Sequence, residues 1–153
     1  MKNVVRSLRT VSIVCGVLFL LPTTNVALAD AKGVVAEILD EALPQLQNTM
    51  ASVSQGCSGG SNGVPPLGWQ DRQKPGNAAV LSLSGARVAI SENRIDDAKS
   101  KIITGLGQWD TLINSLSLSC SGGAHGEDPV NYGNYLRFRD VLKERLLTAI
   151  RFL

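Results

Sequence analysis

Cys57-Ser58-Gly59-Gly60-Ser61-Asn62-Gly63-Val64-Pro65-Pro66 and Cys120-Ser121-Gly122-Gly123-Ala124-His125-Gly126-Glu127-Asp128-Pro129 are two copies of one pattern, C-S-G-G-x-x-G-x-x-P. An aromatic stands three residues past the last proline of each copy, Trp69 in the first and Tyr132 in the second. Each copy follows a segment with helical periodicity, and Cys57 and Cys120 are the only cysteines outside the N-terminal segment. Two loops that each open on a cysteine after a helix predict a disulfide between Cys57 and Cys120, at one end of a helical bundle. Gly59, Gly60, Gly122 and Gly123 lack the side chains that would hold the two backbones apart.

Lys2, Arg6 and Arg9 form a positive start to the 153-residue chain. Val11–Leu21 is an apolar run broken by Pro22, and Ala27-Leu28-Ala29 is a small-residue cleavage site before Asp30. These are the three parts of a secretory signal peptide, predicted over 1–29. A spanning helix needs about 20 apolar residues, well beyond this run. Cys15 lies inside the run, far from the cleavage triplet, and is not placed for lipidation. Residues 30–153 are then a single helical domain, long enough for a core of its own. Export to the periplasm or beyond carries Cys57 and Cys120 into an oxidising compartment, where such a pair forms a disulfide.

Loss of Lys2, Arg6 and Arg9 leaves 12 basic against 13 acidic side chains, a net charge of −1. A chain so close to neutral offers no charged footprint to nucleic acid or to an anionic membrane. After signal cleavage no membrane contact is expected, and nothing in the sequence sets an oligomeric state.

Four amphipathic stripes follow. Val35, Ile38, Leu39, Ala42, Leu43, Leu46, Met50 and Val53 recur at helical spacing over 31–54, with a kink or restart expected at Pro44. Residues 54–76, rich in Gly, Ser, Asn and Pro, predict a long connection that holds Trp69. Asn77 reads as the cap of a second helix over 77–92, with Val80, Leu83, Ala86 and Ile90 on its inner face. Ala98, Ile102, Leu106, Trp109, Ile113 and Leu116 form the cleanest stripe, over 96–117. Asp128 as cap and Pro129 at the first helical position open the last helix, 129–152. Its inner face is Tyr135, Phe138, Leu142, Leu146, Ala149 and Leu153, and its outer face is basic. Together these predict an all-α protein, a disulfide-linked four-helix up-down-up-down bundle with both C-S-G-G loops at one end.

Ala86, Ala89 and Ala98 around a turn at Asn93 make the 86–113 region resemble a TPR-type helical hairpin. The region is also similar to the FIMAH-type helical module of bacterial secreted proteins. The resemblance implies an antiparallel helix pair and carries no function.

Enzyme signatures are missing: His125 is the one histidine, and no hydrolase, metalloprotease or phosphate-loop pattern occurs. A Cys120–His125 nucleophile pair needs a free thiolate, which a disulfide removes. No catalysis and no cofactor are expected. His125, Glu127 and Asp128 are the candidate metal ligands, without a recognised ligand spacing. The expected function is an exported binding or accessory protein that recognises a protein or glycan through its disulfide-linked loop end, with Trp69, His125 and Tyr132 as contact residues. The alternatives are an extracytoplasmic metal-binding protein using His125, Glu127 and Asp128, and a periplasmic inhibitor or immunity-type protein.

Overall fold

The computed structural model describes residues 23–58, 62–121 and 125–153, and over these the chain is all-helical. Four helices build it: α1 (Thr23–Val53), α2 (Trp69–Ser91), α3 (Ile95–Ser115) and α4 (Tyr132–Ala149), the last followed by a short 3-10 turn at Ile150–Phe152. Among the described residues there is no strand, only a single backbone bridge between Cys120 and Glu127. None of these helices is long and apolar enough to cross a membrane. Residues 1–22 of the predicted signal peptide lie outside the described residues, as do Gly59, Gly60, Gly122 and Gly123 of the two C-S-G-G turns.

Three helix starts depart from the sequence reading. α1 begins at Thr23, eight residues ahead of the predicted start, and runs through Ala27-Leu28-Ala29. Alanine and leucine are strong helix formers, and the single glycine between them and the stripe that follows, Gly33, costs only about 1 kcal/mol. Nor does α1 restart at Pro44. Pro44 and Asp40 are both exposed, so the carbonyl deprived of its partner four residues back can be hydrated. α2 begins at Trp69 rather than Asn77, after Gly68 in the left-handed region, φ 68°. Pro75 and Gly76, expected to end a loop, lie inside α2 because Gly76 is buried against Met50 and Leu112, where a Cβ would come within 2.8 Å of Leu112. Tertiary contact here overrides the local preference of Gly76. The predicted 23-residue connection shrinks to 54–68.

α4 begins at Tyr132, not Pro129, with Asn131 in the capping position. The residues expected to open it are already engaged. Asp128 accepts a hydrogen bond from the Leu118 N–H at 2.7 Å, and the Val130 N–H donates to the Gly56 carbonyl at 2.9 Å. Asp128 is thus a loop brace and not a helix cap.

The predicted stripes do meet. Leu39, Leu46 and Val53 of α1, Leu83 and Ala86 of α2, Ile102, Trp109 and Ile113 of α3, and Leu142 and Leu146 of α4 share one buried core. α1 packs on α2 and α4, and α3 packs on α2 and α4. Trp109 is fully buried and meets Phe138 edge-on, ring centroids 6.2 Å apart. Its indole N–H finds no partner among the described residues, a cost of about 1–3 kcal/mol that the packing absorbs.

The core carries the repeat further than the loops alone. At the constant offset of 63 that separates Cys57 from Cys120, buried Leu39 corresponds to Ile102, Leu46 to Trp109, Val53 to Leu116, Pro66 to Pro129, Leu83 to Leu146 and Ala86 to Ala149. The starts of α2 and α4, Trp69 and Tyr132, obey the same offset. The first half and the second therefore share one frame.

Candidate functional site

Cys57 and Cys120 are joined by a disulfide, Cα atoms 5.1 Å apart, as the sequence predicts. The backbone around them is cross-braced. The Leu67 N–H donates to the Ser119 carbonyl at 2.8 Å, and the Val130 N–H donates to the Gly56 carbonyl at 2.9 Å. These two bonds exchange under the 63-residue offset, as across a local two-fold axis. Within each copy the cysteine N–H donates seven residues ahead, Cys57 to Val64 at 3.0 Å and Cys120 to Glu127 at 2.9 Å. Loop backbone is normally a poor platform because its polar groups are left to water. Here the disulfide and the paired carbonyls fix it.

What this platform displays is apolar. Val64, Leu67, Leu118 and Val130 are 49%, 60%, 58% and 66% exposed, and each lies within two residues of a bond that braces the cysteines. Leu67 and Val130 hold equivalent positions in the two copies. Leu118 is held out against its own preference: φ is +51°, a region that costs a side-chain-bearing residue roughly 1–2 kcal/mol. Asp128 secures its N–H, and its carbonyl lies where a Cβ on Gly126 would approach to 2.6 Å. Gly126 itself has φ +69°, so only glycine suits that turn. Strain held in place by surrounding structure is a mark of functional positions.

The predicted contact residues are placed differently from one another. Trp69 and Tyr132 open α2 and α4, where both are half-buried and packed against the core. They support the platform more than they face outward. His125 is exposed. Sequence reasoning missed Val64, Leu67, Leu118 and Val130. The legible signal was an apolar residue two positions before the aromatic in both copies, Leu67 before Trp69 and Val130 before Tyr132.

The candidate metal ligands do not assemble into a site. Glu127 pairs through its backbone with Cys120, Asp128 is spent on the Leu118 N–H, and among the described residues no three His, Cys, Asp or Glu side chains are grouped to hold an ion. The Cys120 sulfur is bonded to Cys57 and is not a thiolate. Part of the basic face of α4 is paired locally. Arg145 meets Glu41 at 2.8 Å, Lys143 pairs with Asp110, and Arg139 bonds Asn114 and Asp140. The hydrogen bond to Asp140 raises the Arg139 guanidinium above its ordinary value.

A disulfide of this kind is typical of proteins outside the cytoplasm. Comparison with protein-family models, curated proteins and solved structures finds no match to this chain.

Proposed function

We propose that this is an exported binding protein that recognises a protein partner through the disulfide-linked end of an up-down-up-down four-helix bundle. One observation carries the reading: four large apolar side chains, Val64, Leu67, Leu118 and Val130, stand exposed around a cross-linked and cross-braced backbone. Interface cores are built from such desolvatable anchors on rigid supports, which lose little freedom on binding. A partner that buries aliphatic side chains is a protein surface, and inhibitor or immunity-type action is one form of that role.

The alternating topology is supported by which residues meet. Asp40 pairs with Arg87 and Met50 lies against Gly76, so numbers rise along α1 as they fall along α2. Ser82 with Gln108 and Gly85 with Lys101 relate α2 to α3 in the same sense. Asn114 with Arg139 and Asp110 with Lys143 do so for α3 and α4. Export is supported by the disulfide together with the signal-peptide pattern of residues 1–29.

The test substitutes Leu67→Asp and Val130→Asp together. Both side chains are exposed, so stability should change by less than about 0.5 kcal/mol for each. Capture of a defined partner from the native envelope fraction, followed by direct titration with that partner, should be lost. A partner held equally well by the double variant removes the disulfide end as the recognition surface.

A further inference from the structure

On α1, Gln45, Asn48, Thr49 and Ser52 recur at the three-and-four spacing that places them on one face. Asn131 and Asn134, at the start of α4, lie opposite them across a cleft of about 400 Å³. Tyr135 and Phe138 continue the α4 stripe as the aromatic part of the wall, and Phe138 is braced edge-on by Trp109. A seam between two amphipathic helices is ordinarily filled by aliphatic residues. Among the described residues no aliphatic and no charged side chain lines this one.

Several of its polar groups are uncommitted. The Ser52 and Tyr135 hydroxyls bond each other at 2.8 Å, and the Asn134 side-chain oxygen accepts from Arg137 at 2.7 Å. Gln45, Asn48, Thr49 and Asn131 make no side-chain hydrogen bond among the described residues. Asn131 occupies the capping position of α4, where asparagine is favoured for bonding the first turn, yet its side chain does not cap. The shared frame does not require this chemistry. At the offset of 63, Thr49 corresponds to buried Leu112, Gln45 to Gln108, which is bonded to Ser82, and Asn134 to Asp71, which is paired with Lys74.

We propose that this cleft binds a neutral glycan. A primary amide offers donors and an acceptor side by side, which matches the paired hydroxyls of a sugar, while the partly exposed Phe138 ring matches its C–H face. No charged side chain lines the cleft among the described residues, and the nearby Arg137 is bonded to Asn134, so an ionic ligand has little to pair with, while a purely apolar one would strand the amides without partners. A peptide that pairs as a strand finds no sheet edge here, because the walls of this cleft are helical. The volume, at the small end of ligand pockets, takes roughly one or two sugar units of a longer chain.

Isotope-labelled protein titrated with neutral hexasaccharides built from glucose, mannose, galactose or N-acetylglucosamine tests the proposal. One series should shift the side-chain amide resonances of Gln45, Asn48 and Asn131, with an affinity that does not fall as salt is raised, because no ion pair is involved. Asn48→Ala with Thr49→Ala should weaken that binding about tenfold, the loss of one or two hydrogen bonds, at an unchanged melting temperature. Silence of all four series at millimolar sugar overturns the proposal. So does equal binding by the double variant, or an uncharged Ser- and Gln-rich peptide moving these resonances when the sugars do not. The probe is free sugar, so this result and partner capture at the disulfide end stand or fall separately.

Discussion

The seam between α2 and α3 and the seam between α4 and α1 are counterparts at the offset of 63, yet among the described residues the first is closed and the second has a groove at each end. Small residues close the first. Ala79, Ala86, Ala89 and Ala98 are fully buried there, and at Gly105 a Cβ would come within 2.8 Å of Leu83. The corresponding positions of the second seam are Leu142, Ala149, Phe152, Val35 and Ala42. Four of these five are larger, which holds the helices apart. The turn at Asn93, φ 59°, also seals one end of the α2–α3 seam. At the matching end of the α1–α4 seam no turn joins the helices, and a groove of about 800 Å³ lies between Val34 and Ile38 on one side and Ala149 and Phe152 on the other. The difference separates two jobs. Cysteines, prolines and core residues hold a common frame, while the size of the seam residues decides where that frame leaves a groove.

The largest blow to the comparison would fall on the disulfide, which ties the two halves at equivalent points. Cys57→Ser with Cys120→Ser should cost about 4 kcal/mol on the chain-entropy account of a loop this long, where the cysteines are 63 residues apart. The melting temperature should then fall on the order of 10–20 °C, while helical content at room temperature persists. Circular dichroism melts of both forms measure this, and a shift of only a few degrees would mean that the cross-loop hydrogen bonds already hold the end.

A smaller effect sharpens the contrast between seams. Gly105→Ala pushes a methyl into Leu83 in the closed seam and should destabilise by about 1–3 kcal/mol. Two residues on, Gly107→Ala meets nothing within 4 Å and should stabilise by about 0.4–1 kcal/mol. Denaturation midpoints of opposite sign are expected, and equal midpoints would show that the seam is not tight at Gly105.

The smallest effect probes where the two loops part company. Leu118 corresponds to Gln55, and Asp128, which braces it, corresponds to Pro65, which has no carboxylate to offer. Leu118→Gly relieves the positive φ and should raise stability by up to about 1 kcal/mol. It also removes an apolar contact from the disulfide end, so partner affinity should fall as stability rises. A variant that is less stable would mean that Leu118 packs usefully where it stands.

Much of this was legible without coordinates because it is local or periodic. The four stripes were readable from spacing alone, since residues three and four apart must share a helix face. The Cys57–Cys120 bond followed from there being one available partner for each cysteine. The site was less legible. Trp69 and Tyr132, beside Gly- and Pro-rich loops, read as contact residues, with a lid folded over the bundle end the other reading of Trp69, and the helices that draw them onto the core begin at those residues. Val64 and Leu118 fit no period, and Leu67 and Val130 are marked only by a shared place two residues before the aromatic, which does not tell exposed from buried.

By itself, then, the sequence determined the helical class, the faces turned inward and the cross-link, all of which depend on near neighbours or on cysteine count. Only the tertiary structure decided that Gly76 belongs inside α2, that Asp128 braces Leu118 instead of capping α4, and that one of two equivalent seams stays open. The first and last of those outcomes turn on contacts between segments far apart in the chain, and the second on a side-chain bond across a ten-residue loop, and in each the energy of the contact exceeds the modest local preferences that a sequence displays.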